Sequence, residues 1–166
     1  LPPGTGDIQL TLAQQARLSG AVIVTTPQRV AVDIARMGLE MFTSVNVPIL
    51  GIVENMSGFT CPSCQETTHI FQKGGGEKLA ETLDVPFLGK VPLDPVVMMS
   101  GDEGDPVLDS APDSVPAKAF ASIAQSLEDK VSRAQKALDN LEPIKINVYD
   151  KNPSSLELFW KDESIT

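Results

Sequence analysis

Two cysteines, Cys61 and Cys64, frame the segment Cys61-Pro62-Ser63-Cys64, and the chain contains no others. A C-x-x-C pair puts two thiolates on one tight loop, where they can hold one side of a metal ion or cluster. A soft metal centre usually takes four such ligands. This chain supplies two thiols and, shortly after them, its single imidazole, His69. The pattern reads as half of a site and points to a second copy of the chain. Three other readings stand beside it. A zinc knuckle closed within one chain would need Cys61, Cys64, His69 and a fourth ligand. A thioredoxin-like redox pair would sit at a helix N-terminus after a strand, whereas this pair lies in the middle of an insertion. The pair could also be two unligated loop thiols.

Three further segments have the composition of binding loops. Pro2-Pro3-Gly4-Thr5-Gly6-Asp7 runs into a helix, which would offer free N–H groups and a positive dipole end to an anion. A plain turn with an N-cap explains it equally well. Lys73-Gly74-Gly75-Gly76 suggests a phosphate loop, but that motif needs Gly-Lys followed by Ser or Thr, and here Gly76 is followed by Glu77 and Lys78. A flexible hinge closing the cysteine insertion is the better reading. Asn55 and the Pro92-Leu93-Asp94-Pro95 loop follow strand ends, where ligands of open α/β sheets sit. Asn55 could make paired hydrogen bonds to a base edge, although Asn and Pro are also ordinary loop residues.

The elements that must position these residues alternate. Asp7 can cap a helix over 7–18, with Ile8, Leu12 and Ala16 on one face. Residues 21–25 are a continuous apolar run, as expected of a strand buried on both faces. Thr26-Pro27 reads as a helix start with Pro at the first helical position, and Asn46 ends that helix. Residues 47–53 form a second buried strand, 77–83 a short helix and 87–91 a third strand. Residues 100–116 are dense in Gly, Asp, Ser and Pro and read as loop. A long amphipathic helix is expected over 115–138. This order predicts an α/β fold with a mostly parallel sheet. Beyond Pro143, alternating Ile144, Ile146, Val148 and then Leu156, Leu158, Trp160 predict an antiparallel hairpin. Residues 1–140 therefore read as one domain and 143–166 as the start of a second.

Charge and composition exclude some functions. Thirteen basic against 22 acidic residues give a net charge of −9, the wrong sign for a broad nucleic-acid surface. A nucleotide site is still allowed, because backbone N–H groups do much of that work. No apolar run reaches the ~20 residues of a membrane span, and the 115–138 helix has too little basic charge to lie on a membrane. Hydrophobic residues make up 42% and aromatic ones 5%, so the core is aliphatic. Two cysteines in 166 residues are no disulfide framework, which fits a reducing compartment. The chain starts at Leu1 in a turn-rich loop and stops after a strand-like run, so it reads as a piece of a longer protein.

Taken together, LPPGTGDIQLTLAQ, GAVIVTTPQ, VPILGIVENMSGF, the CPSC pair, THIF and KGGGEKLAE resemble the Mrp/NBP35-type, MinD-like P-loop ATPases, which carry iron–sulfur clusters. The resemblance covers residues 1–107 almost continuously. It implies that Gly4, Thr5, Gly6 and Asp7 belong to a segment sensing the γ-phosphate, and that Asn55, Pro92, Leu93 and Asp94 frame the adenine of ATP bound with Mg2+. It implies that Cys61 and Cys64 pair with their copies in a homodimer, four thiolates bridging one [4Fe–4S] cluster for delivery to recipient apoproteins. His69 is then a packing or hydrogen-bonding residue. The phosphate-binding loop of the family has no match in this chain, so the chain alone should not hydrolyse ATP, while the parent protein would do so slowly. The tail PIKINVYDKNPSSLELFWKDES resembles the start of a DUF971 domain, which suggests a plastid Mrp-type arrangement. The expected location is a plastid or mitochondrion if eukaryotic and the cytoplasm if bacterial. The rival readings are a metal-free MinD/ParA-like switch ATPase and a zinc-dependent interaction module.

Overall fold

Three apolar runs form the sheet that organises the molecule, β1 (Ala21–Thr25), β2 (Ile49–Asn55) and β5 (Phe87–Val91). They are parallel, in the order β1-β2-β5. The computed structural model describes residues 6–16, 18–61, 63–64 and 66–139. The hairpin and second domain expected over 143–166, and Gly4 and Thr5 of the first loop, lie outside the described residues.

Side chains of a strand alternate between faces, and the central strand uses both. Ile52 packs into a cluster with Ile23, Leu39, Phe42 and Leu79, beneath α2 (Arg29–Ser44) and α3 (Gly75–Thr82). Val53 packs on the other side with Leu88, Val91 and Ile123, the last from α6 (Val115–Asp139). Helices on both faces are what a parallel sheet requires. The first helix, α1 (Asp7–Gln15), joins the α2 side through Leu10 and Ala13.

The sequence expectations need four corrections. The first helix ends at Gln15, and Gly6 takes the N-cap position, with Asp7 inside the first turn. The second helix begins at Arg29 with Gln28 as N-cap; Pro27 is fully buried before it. Strand β2 starts and ends two residues later than expected, so Asn55 is its last residue. Finally, 100–116 is not simply loop. Helix α4 (Pro95–Glu103) is capped by the Asp94 carboxylate, which accepts from the Val96 N–H at 3.0 Å. Pro95 lies in its first turn, and Gly104 ends it in a left-handed conformation. Helix α5 (Val107–Ser110) follows. Asp before Pro is a start signal and Gly a stop signal; here both were hidden in what looked like loop composition.

The expected insertion contains a small hairpin of its own. Strand β3 (Phe59–Thr60) pairs antiparallel with β4 (Thr67–Thr68), Phe59 opposite Thr68 and Thr60 opposite Thr67. The Thr60 and Thr67 hydroxyls lie 3.0 Å apart.

Candidate cysteine hairpin and strand-end site

The hairpin sets the place of the cysteines. With Thr60 and Thr67 paired, Cys61, Ser63, Cys64 and Glu66 lie at its tip, closed by the Cys61 N–H donating to the Glu66 carbonyl at 3.0 Å. Cys61 is half-buried, Cys64 is exposed, and both are free thiols. The backbone N–H of Cys64 and then that of Ser63 hold the Cys61 thiol below its usual range, with smaller help from the Cys64 thiol and the Ser63 hydroxyl. The thiolate is the form that ligates metals and attacks electrophiles. Among the described residues, no three of His, Cys, Asp and Glu converge on one point. His69 does not turn to the cysteines: its Nδ1 lies 3.1 Å from the Ser57 carbonyl oxygen. That arrangement argues against the single-chain zinc knuckle.

The root of the hairpin is tied to the sheet. The Ser57 N–H donates to the Val91 carbonyl at 3.0 Å, and the Leu93 N–H donates to the Gly58 carbonyl at 2.8 Å. Met56 sits in a left-handed conformation with φ of 56°, uncommon for a side chain of its size, and its N–H donates to Asn55 Oδ1 at 2.9 Å.

Asn55 and the Pro92 loop do come together. Asn55 is the register partner of Val91, so the Pro92-Leu93-Asp94 turn leaves the sheet directly beside it. The geometry also limits what each can offer. The Leu93 N–H and one Asp94 oxygen are engaged within the chain. The Asn55 amide group, with two N–H donors, is the polar group best placed for a ligand. Asn55 also lines an open groove of about 710 Å³ along the outer edge of β1, between α1 and α2, with Gln9, Leu12, Val24, Thr26 and Ile34. Gly6 and Asp7 are exposed at the start of α1.

The three glycines after Lys73 are neither a phosphate cradle nor a simple hinge. Gly74 caps α3 in a left-handed conformation with φ of 72°. A Cβ on Gly75 would stand 2.5 Å from the Pro27 carbonyl oxygen, and one on Gly76 3.1 Å from Thr25. The Gly76 N–H is already taken by the Glu54 carboxylate at 2.7 Å. Sequence reasoning missed Glu54 altogether. A charged residue inside an apolar strand was the available signal.

A family model described as ParA, NUBPL iron-transfer P-loop NTPase, matches residues 1–128. The chain belongs to this family. Its relatives within the NUBPL group and beyond include a mouse protein named iron–sulfur cluster transfer protein NUBPL, 52% identical over 127 residues, or 76% of this chain and 40% of the mouse protein. An Aquifex aeolicus protein named iron–sulfur cluster carrier protein is 49% identical over 131 residues, 79% of this chain and 36% of its own length. An Arabidopsis thaliana protein named iron–sulfur protein required for NADH dehydrogenase, mitochondrial, is 43% identical over 155 residues, 93% of this chain and 50% of its own length. The chain thus spans half or less of the length of these relatives. Among solved structures, an Archaeoglobus fulgidus nucleotide-binding protein in complex with ADP matches with a TM-score of 0.56 and 40% identity, over 63% of this chain and 43% of that one. The Pyrococcus furiosus cell-division ATPase MinD matches with a TM-score of 0.54 and 26% identity, over 67% and 43%. The α/β P-loop NTPase fold expected from the sequence is therefore the fold of this NUBPL-type chain. The family match ends at residue 128 and does not bear on the DUF971-like start expected over 143–166.

Proposed function

We propose that this chain is part of a nucleotide-binding carrier that holds a [4Fe–4S] cluster between two copies of itself and delivers it to apoproteins. The observation that carries the reading is the cysteine hairpin. Its tip presents two free thiols, one with its thiolate favoured, and no third ligand converges on them among the described residues. A [4Fe–4S] cluster takes four thiolates, and a two-fold axis beside Cys61 and Cys64 would double the two present. The names of the mouse and Aquifex relatives support cluster carriage. A cluster is here the cargo, and an exposed tip is suited to giving it up.

The same reading assigns Asn55, Pro92, Leu93 and Asp94 to the adenine side of an ATP–Mg2+ site, and Gly4, Thr5, Gly6 and Asp7 to its phosphate side. Support comes from the juxtaposition of Asn55 with the Pro92 loop and from the ADP complex of the Archaeoglobus relative. Phosphate-loop residues from elsewhere in the whole protein would complete that site, with slow ATP hydrolysis as its activity. We place residues 1–140 in this NTPase domain and 143–166 at the start of a DUF971-like domain. The working environment is a reducing compartment, which keeps the two thiols available. No helix among the described residues is long and apolar enough to cross a membrane.

The deciding experiment is anaerobic reconstitution of the full-length protein with iron and sulfide, followed by iron, sulfide and mass determination. The expected result is about four iron and four sulfide per dimer, lost when Cys61 is replaced. A monomer that binds zinc, or no metal at all, would move the assignment to a MinD-like switch or a zinc-dependent module.

A further inference from the structure

Glu54 is the one buried carboxylate among the described residues, and it sits in the central strand with no solvent exposure. Burying an ionisable group this deeply is unfavourable unless its oxygens are satisfied. Both are. Oε1 accepts the Ser57 hydroxyl at 2.5 Å, and Oε2 accepts the Gly76 N–H at 2.7 Å. Those two donors lie on opposite sides of the cysteine hairpin. Ser57 is on the outgoing root, three residues after Glu54, and Gly76 is on the returning root, twenty-two residues after it. The hairpin and both cysteines lie between them.

The surroundings leave this bridge little freedom. A Cβ on Gly76 would stand 3.2 Å from the Glu54 Cβ, so the backbone of α3 approaches as closely as a glycine permits. The carboxylate also faces the positive end of α3, which favours a negative charge there. Ser57 is fixed by three separate groups: its hydroxyl by Glu54, its N–H by the Val91 carbonyl and its carbonyl by His69. An aliphatic residue at position 54 would fill the core but could not join the two roots.

We propose that Glu54 is a positioning residue that clamps both roots of the cysteine hairpin to the sheet and so governs how firmly the tip thiols retain their metal. The clamp stands on the geometry alone. Its effect on metal retention rests on the cluster-carrier reading given above.

The test uses the full-length protein with Glu54→Ala, Glu54→Gln and Ser57→Ala. Glutamine can still accept from the Gly76 N–H through its oxygen and donate to the Ser57 hydroxyl through its amide. Amide hydrogen exchange is measured first on the metal-free protein. Glu54→Ala should exchange about tenfold faster at both Ser57 and Gly76, because hydrogen bonds to a charged group are lost at both roots. Glu54→Gln should stay within about twofold of the parent, and Ser57→Ala should loosen the outgoing root while leaving Gly76 protected. The second reading is the rate at which bathophenanthroline disulfonate strips iron from the reconstituted protein. It should rise about tenfold in Glu54→Ala, in step with local opening, with the same iron content at saturation. Unchanged exchange in Glu54→Ala, or equal damage from Gln and Ala, overturns the clamp. Faster exchange without faster iron loss overturns its control of retention. If Glu54→Ala fails to fold, the contrast between Ser57→Ala and Glu54→Gln decides in the same way. A parent protein that binds no cluster sinks the carrier reading, while the exchange data still judge the clamp.

Discussion

The imidazole Nδ1 of His69 lies 3.1 Å from the carbonyl oxygen of Ser57, across the base of the hairpin that carries the cysteines. A carbonyl only accepts, so in this contact Nδ1 carries the proton and His69 serves the loop as a donor. His69→Ala should therefore leave iron and sulfide at about four each per dimer after reconstitution. Iron falling by half or more in that variant would make His69 a ligand.

Cys61→Ala and Cys64→Ala should each abolish cluster binding and leave the fold intact. Both side chains lie at a hairpin tip outside the two core clusters, and surface changes of this kind alter stability by no more than about 0.5 kcal/mol. Iron analysis and a denaturant titration on the same samples check both halves. Stoichiometric iron retained in the double variant would refute the assignment.

Cys61 should show its lowered thiol pKa as a pH profile. The N–H groups of Cys64 and Ser63 favour its thiolate only in the folded loop. Iodoacetamide should thus alkylate Cys61 at lower pH in the native apoprotein than in denaturant. The linkage has the sign of an acid with a depressed folded pKa. Any contribution to loop stability is present above the unfolded value and is lost as pH falls through the folded one. A native midpoint equal to or above the denatured one would contradict this.

Asn55→Asp separates the two uses of that side chain. The carboxylate keeps an acceptor for the Met56 N–H, which the Asn55 oxygen now holds at 2.9 Å, but it removes the N–H donors. ADP affinity of the full-length protein should fall about tenfold by titration calorimetry, with little change in thermal stability. Unchanged affinity would take Asn55 out of the adenine site.

Two glycine substitutions should behave oppositely. In Gly75→Ala the new methyl meets the Pro27 carbonyl oxygen at 2.5 Å and Val32 at 3.0 Å. Backbone must move, at a cost of about 1–3 kcal/mol. In Gly101→Ala nothing lies within 4 Å, and the helix α4 should gain about 0.5–1 kcal/mol from the better helix former. Urea titrations of both variants check the sign.

Much of this was legible in the sequence for physical reasons. The strands stood out by their short apolar runs between turn signals, although neither is buried on both faces: Val24 in 21–25 and Lys90 in 87–91 are exposed. The long helix stood out because its apolar spacing repeats for many turns. The C-x-x-C pair was legible as a loop feature, since two thiols so close act together in any tight turn. The hairpin around it was not, because β3 and β4 have two residues each and show no period. Helix α4 was masked by its own caps: Asp94, Pro95 and Gly104 are turn residues by type, and only their spacing marks a start and a stop. Glu54 was missed because its partners, Ser57 and Gly76, meet only in the folded chain.

The free edge of β1 bears on how the chain behaves in concentrated solution. On that side β1 has no strand partner among the described residues, Val24 is 60% exposed, and an apolar groove runs alongside. A strand laid there would gain backbone hydrogen bonds and hydrophobic burial in one step, which is the condition for sheets to grow from molecule to molecule. For this stretch of polypeptide handled by itself, solubility becomes a competition. A strand supplied from the rest of the protein would end the sheet, whereas a strand borrowed from a neighbour would extend it, and the balance shifts toward the neighbour as concentration rises.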